Sequence, residues 1–222
     1  MEYSQTGEIA VLKFDDGKAN AVGFDFQANM HEGLDRAEKD AKAVVIAGRE
    51  NRFSAGFDLS VMSEGPEAAG KMVLGGARML HRLFTFKLPV VAACTGHAIA
   101  AGGFMLLACD TRIGAAGDYK IGLNETAIGM TLPVFGFQLA KSRLAPTYFT
   151  SAVVQANIFD PDGAREAGFL DQTTTPDNVI PAAIDVAQRL SALPADAYYG
   201  NKMGMRETAA ETIRKSFESG IP

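Results

Sequence analysis

Two features of the sequence could do chemistry together: a carboxylate with no cation near it, and a turn of small residues that opens a helix. The carboxylate is Glu125, the only charged residue of the glycine-punctuated stretch Asn124-Glu125-Thr126-Ala127-Ile128-Gly129-Met130-Thr131-Leu132-Pro133. In apolar surroundings a carboxyl group holds its proton more tightly, because its charged form loses hydration, and it then suits proton exchange near neutral pH. Standing merely at a helix start, the same Glu would gain only from the dipole. The turn is Ala100-Ala101-Gly102-Gly103. The first N–H groups of a helix lack intrahelical acceptors and sit at the positive end of its dipole, so they stabilise an anion or a developing oxyanion. Small side chains leave that approach open. They also allow close packing of helix on sheet, and the turn alone does not separate the two uses.

The turn belongs to the stretch that organises the chain, Leu88 to Asp110, in which no residue between Lys87 and Asp110 carries a permanent charge. Its length would suit a membrane helix. Pro89, the Thr95-Gly96-His97 turn and the Gly102-Gly103 pair break that continuity. The better parse is a buried strand (Val90 to Cys94), a tight turn, and a buried helix starting near Ala101. Loops at the carboxyl ends of such strands are where α/β proteins place ligands.

The elements around it follow from periodicity and punctuation. Glu8 to Phe14 reads as a strand ended by Asp15-Asp16-Gly17-Lys18, with a hairpin or strand-loop after it. Phe26, Met30, Leu34 and Ala37 form one face of an amphipathic helix. Ala43 to Ala47 is a short apolar run suited to a buried parallel strand. Arg52 to Leu59 reads as a loop in which Gly56 permits an unusual backbone angle and Asp58 caps a short helical turn. Gly65-Pro66 opens a long helix striped by Val73, Ala77, Leu80 and Phe84. Thr111 to Gly117 reads as strand and loop, and Tyr119 to Leu123 as extended. Helices are predicted over 135–144 and 147–155, a short one from Asp160 to Gly168, a long one that starts at Pro176 and is stopped by Pro194, and a last one over about 198–217. Lys202, Arg206, Arg214 and Lys215 make that last segment locally basic, which reads as a solvated face.

Composition sets bounds. A chain of 222 residues, 47% of them hydrophobic, buries one large core and needs no second domain. Its net charge of −5 argues against a nucleic-acid binder. Cys94 and Cys109 lie in apolar surroundings without metal-ligand spacing and read as reduced core residues. His31, His81 and His97 form no metal pattern either, so no metal is expected. The amino terminus has no basic-then-apolar leader, and the expected location is cytoplasmic.

Three motifs in order, SAGFDL at Ser54 to Leu59, TGHAIAAGG with ACD at Thr95 to Asp110, and NETAIGMTLP at Asn124 to Pro133, resemble the crotonase family, the enoyl-CoA hydratase/isomerase superfamily. The likeness runs from Asn20-Ala21 to DPDGAREAGFLD. It implies an α/β fold, a spiral of ββα repeats over 1–190, with a helical segment over 191–222 packing on the core or on a neighbouring subunit. It also implies a homotrimer or dimer of trimers, no membrane partner, and an acyl-CoA thioester as substrate, with no cofactor beyond that coenzyme A. Family members hold an enolate oxygen with two backbone N–H groups, and the matching positions here are Phe57 and Ala101. Catalysis is thereby assigned to Glu125, Phe57 and Ala101. Substrate contacts are assigned to Asn20, Ala21, Ser54, Ala55, Gly56, Asp58, Leu59, His97, Gly102, Phe104 and Leu132.

One departure bears on the reaction. The family's hydratases hold a water between two glutamates, and the first of those positions is Phe104 here, which leaves Glu125 alone. A single carboxylate is the pattern of the Δ3,Δ2-enoyl-CoA isomerases. Hydratase or other thioester chemistry is the alternative, and hydration would need Asp58, Glu64 or Asp118 to enter the pocket. A non-catalytic CoA-binding protein is the second alternative. In relatives the carboxyl-terminal region supplies cations to CoA phosphates, a role for which Lys202 and Arg206, one helical turn apart, are the candidates.

Overall fold

The computed structural model describes residues 1–218. It opens with β1 (Glu2–Thr6) and β2 (Ile9–Lys13), an antiparallel hairpin turned at Gly7. The first apolar strand, β2, is thus the second arm of a hairpin and is followed by a loop, the strand-loop alternative; the first arm is not legible in the sequence because the largely exposed, polar β1 carries no apolar signal. There follow α1 (Phe24–Asp40), β3 (Ala43–Ala47), β4 (Asn51–Ser54), α2 (Leu59–Ser63), α3 (Pro66–Phe84), β5 (Val90–Cys94), β6 (Gly96–Ile99) and α4 (Ala101–Ala108). Next come β7 (Thr111–Ala115), β8 (Ile121–Gly122), α5 (Val134–Arg143), α6 (Pro146–Val153), β9 (Ile158–Phe159), α7 (Pro161–Ala167), β10 (Gln172–Thr174), α8 (Val179–Ser191) and α9 (Ala195–Glu218).

The strands form two sheets, ordered β1-β2-β3-β5-β7-β10 and β4-β6-β8-β9. In the first, every pairing from β2 onward is parallel; in the second, β4, β6 and β8 are parallel and β9 runs against β8. The units β3-β4, β5-β6 and β7-β8 each place one strand in the large sheet and the next in the small one, and helices lead the chain back. This is a crotonase-type spiral of ββα repeats. Two expectations are corrected here. Gly96 and His97 belong to strand β6 rather than to a tight turn, and the first residues of the Arg52 to Leu59 loop belong to β4.

The large sheet is buried on both faces, which explains the uninterrupted apolar runs of its inner strands. On β3, Val44 and Ile46 face the core shared with α1, α3 and α4, while Ala43, Val45 and Ala47 face Val179, Ala183, Val186 and Ala187 of α8. Cys94 and Cys109 are free and buried, and burial pushes both thiols up to about 12. Helix α9 packs on α5 and α3 of the same chain. Among the described residues no helix is long and apolar enough to cross a membrane, and no cluster of His, Cys, Asp and Glu could hold a metal ion.

Candidate active site

Because β4 and β6 are parallel neighbours, the segments leaving their carboxyl ends lie side by side: Ala55-Gly56-Phe57 after one, Ala100 and the start of α4 after the other. The first is tied to the Asn20 stretch. The Ser54 hydroxyl donates to the carbonyl of Asn20 (2.7 Å) and accepts from the N–H of Gly56 (3.3 Å). Asn20 is buried with φ of 50°, and its amide nitrogen donates to the carbonyls of Phe14 (2.8 Å) and Phe53 (3.3 Å). An Asn suits this position because it tolerates the left-handed region and satisfies the surrounding backbone. Val22 N–H donates to Gly56 O (2.8 Å), forming a one-residue parallel bridge with Phe57.

The start of α4 is held from two sides. A side chain at Gly102 would overlap the Ser54 carbonyl, and one at Gly103 would stand 2.9 Å from Gly122 O. Ala100, with φ 53° and ψ −117°, donates its N–H to that same Gly122 carbonyl (3.0 Å). Gly56, at φ 104°, holds a backbone conformation that a side chain would strain, and a Cβ there would crowd the Ala100 methyl at 3.0 Å and the Ile99 carbonyl at 3.2 Å. The loop carrying Phe57 therefore lies against the first turn of α4. Neither the Phe57 nor the Ala101 N–H has a hydrogen-bond acceptor among the described residues. The Phe57 ring turns away to pack on Gly76 of α3.

Glu125 follows β8 by only a few residues, so the strand that anchors α4 also delivers the carboxylate. Its carbonyl accepts from the N–H groups of Ile128 (3.1 Å) and Met130 (2.9 Å), and the neighbouring Thr126 hydroxyl donates to Val153 O (3.1 Å). The backbone is thereby fixed. The side chain is 6% exposed, and its Oε2 has no hydrogen-bond partner; neither has Oδ1 of Asn124 beside it. Burial raises the proton affinity of this carboxyl group above the ordinary glutamate range.

Phe104 is 1% exposed, stands edge-on to Phe135 with ring centres 5.3 Å apart, and lies against Gly136 next to buried Leu132. Of the other predicted contacts, Ala21 is half-buried, whereas Ala55 and Leu59 are exposed. Asp58 caps α2, accepting from the Ser60 N–H (2.8 Å) and hydroxyl (2.6 Å), which hold its carboxyl below the usual range. With Asp16, Asn20, Ala21, Gly23 and Val61 it lines a cleft of about 350 Å3. Glu64 and Asp118 are exposed, so neither enters the buried surroundings of Glu125, and Asp58 is engaged by Ser60. His97 accepts at Nδ1 from the Lys120 N–H (2.9 Å) and stands edge-on to Tyr119. Partial burial and then the charges of Arg52 and Lys120 lower its proton affinity.

The basic tail is corrected. Lys202 and Arg206 are buried and paired with Asp110 (both 2.9 Å), so they form no solvated face, and both also donate to main-chain carbonyls inside the protein. Only Arg214 and Lys215 lie on the wet side, beside Glu211. Sequence reading also leaves out Val22 and Gly122, which hold the Phe57 loop and Ala100 through main-chain atoms. Their only linear trace is their place beside the Asn20-Ala21 and Asn124-Glu125 motifs.

With this geometry in place, comparison with known proteins becomes specific. The profile of the family described as enoyl-CoA hydratase/isomerase matches residues 4–219. The mitochondrial enoyl-CoA delta isomerase 1 of Rattus norvegicus is 27% identical over 218 residues, covering 96% of this chain and 75% of its own. The short-chain-enoyl-CoA hydratase of Clostridium acetobutylicum is 30% identical over 190 residues, covering 83% and 72%. The apo structure of an Mtb enoyl-CoA isomerase superposes with a TM-score of 0.94 at 37% identity, covering 99% of this chain and 96% of that one.

Proposed function

The chain belongs to the enoyl-CoA hydratase/isomerase family, and from that premise we propose that it moves a double bond, converting 3-enoyl-CoA to 2-enoyl-CoA with Glu125 as the acid and base. The observation that carries this reading is the burial of Glu125 with an oxygen left unpartnered; at the position that the family resemblance matches to the hydratases' other glutamate stands the buried hydrocarbon ring of Phe104.

In this mechanism the Glu125 carboxylate takes a proton from C2 of the thioester. The electron pair of that C–H bond delocalises into a dienolate, whose charge gathers on the thioester oxygen. The N–H groups of Phe57 and Ala101 donate to that oxygen, each worth on the order of 3 kcal/mol to the transition state by analogy with other oxyanion holes. Glu125 then returns the proton to C4, the C2–C3 bond becomes double, and the carboxylate is regenerated. The raised proton affinity of Glu125 brings it nearer to that of the carbon acid, which makes removal of the C2 proton less uphill. Phe104 and Leu132 are apolar and buried, and neither offers a group that could hold a water for addition across the double bond. A homotrimer or dimer of trimers is part of the same proposal; it would cover the exposed apolar Ile128, Met130 and Val154.

The test is incubation of the purified protein with 3-enoyl-CoA and, separately, with 2-enoyl-CoA. Expected is rapid appearance of the conjugated 2-enoyl thioester in the first and little 3-hydroxyacyl-CoA in the second. Fast hydration of the 2-enoyl thioester would overturn the single-carboxylate reading. Light scattering of the same sample tests the assembly.

A further inference from the structure

Away from the catalytic loops, at the edge of the large sheet where β5 and β7 begin, the chain gathers more positive than negative charge. Asp110 precedes β7. Its Oδ2 accepts from the Val90 N–H (2.8 Å) and from Lys202 Nζ (2.9 Å), while its Oδ1 pairs with Arg206 Nη1 (2.9 Å). Lys202 also donates to Phe86 O (2.8 Å) and Leu88 O (3.4 Å), so its donors are taken up inside the protein. Arg143 reaches the Asp110 carbonyl with Nη2 (2.9 Å), and its Nε is buried without an acceptor. Arg112 is held by both oxygens of Asp171, yet its Nη1 is likewise buried and unpartnered. Four cations, Arg112, Arg143, Lys202 and Arg206, thus face two carboxylates, Asp110 and Asp171.

Buried positive charge without a matching anion is costly, because the lost hydration is not replaced. The strain is visible at Arg143, whose proton affinity is pulled down to about 10 by burial and then by the charges of Arg112 and Arg206. A cavity of about 400 Å3 opens onto this cluster beside the start of α9, lined among others by Arg143, Tyr198, Asn201, Lys202 and Arg206, with Asp110 as the one carboxylate on its wall. It has room for an oxyanion with part of its hydration shell.

We infer that this cavity is a second binding site, separate from the Glu125 slot, which takes a free small oxyanion of charge near −2, such as inorganic phosphate. On the cavity wall Arg143, Lys202 and Arg206 outnumber the single carboxylate Asp110 and supply the attraction, and Asn201 and Arg143 supply donors. The inference stands whichever reaction the Glu125 slot catalyses.

Inorganic phosphate is the probe, titrated at constant ionic strength against a chloride control. Calorimetry should show one saturable site per chain. At about ten times the Kd, Tm should rise by about 4 °C over the chloride control. Asn201→Asp, at an exposed rim position, places a negative charge in the cavity and should weaken phosphate at least about tenfold. Arg143→Gln should do the same. If Arg143→Gln proves too unstable to assay, Asn201→Asp decides alone. Absence of saturable heat, or equal affinity in Asn201→Asp and the parent, would overturn the site.

Discussion

Gly102 rests on the carbonyl of Ser54 so closely that a side-chain carbon at 102 would overlap that oxygen. This contact sets the distance between the first N–H groups of α4 and the loop that carries Phe57. Gly102→Ala should therefore push the two apart and misalign the donors. Expected is a fall in kcat for isomerisation of about 10²-fold to 10³-fold, as for loss of an oxyanion donor, with a small change in KM. Steady-state kinetics alongside a thermal melt check it: a lower Tm with an unchanged kcat would mean that the loops move as a unit.

Glu125→Gln keeps shape and removes basicity. Isomerisation should drop by about 10²-fold to 10⁴-fold, the usual worth of a general acid–base. In the parent, burial raises the proton affinity of Glu125, so the acidic limb of kcat/KM should be centred above the ordinary glutamate value of about 4.3. The same shift has a sign for stability. A carboxyl group that binds its proton more tightly when folded favours the native state at low pH, and that contribution is lost as pH rises from the unfolded to the folded value. Glu125→Gln should thus gain stability over the parent as pH rises through that window. Urea titrations at pH 4 and pH 8 measure it; a gain that is larger at the acidic end would contradict the buried, unpartnered carboxyl.

Phe104→Ala removes a ring packed on Phe135 and Gly136. From comparable core truncations it should cost about 3–5 kcal/mol of unfolding free energy. Chemical denaturation gives the value, and a loss below about 1 kcal/mol would place the ring outside the core.

Asp110→Asn leaves Lys202 and Arg206 buried without their shared counter-charge. The expected loss is about 3–5 kcal/mol. A melt of the variant checks it, and a neutral result would show that main-chain carbonyls alone satisfy the two cations.

Elements whose signal is local were legible from the sequence. Strands β3 and β5 stand where their apolar runs lie, and α8 lies within the stretch predicted as a long helix, burying Val179, Ala183 and Val186. Strand β6 was not legible, since Gly96-His97-Ala98-Ile99 is too short and mixed to carry a period; its partners β4 and β8 are distant in the chain. The site motifs were legible because small residues and a lone carboxylate stand out among apolar neighbours. That Lys202 and Arg206 point inward was not. A helical face with two cations reads as wet until Asp110, 92 residues earlier than Lys202, is seen beneath it.

The reach of those two side chains also orders assembly of the chain. Lys202 and Arg206 grip the carbonyls of Phe84, Phe86 and Leu88 and the carboxylate of Asp110, all on segments more than 90 residues upstream. None of these acceptors is in place until α3 has ended, β5 has paired and β7 has begun. Helix α9, in which four cations and four carboxylates cancel, is the last of the described elements to be made, and it latches onto segments synthesised well before it.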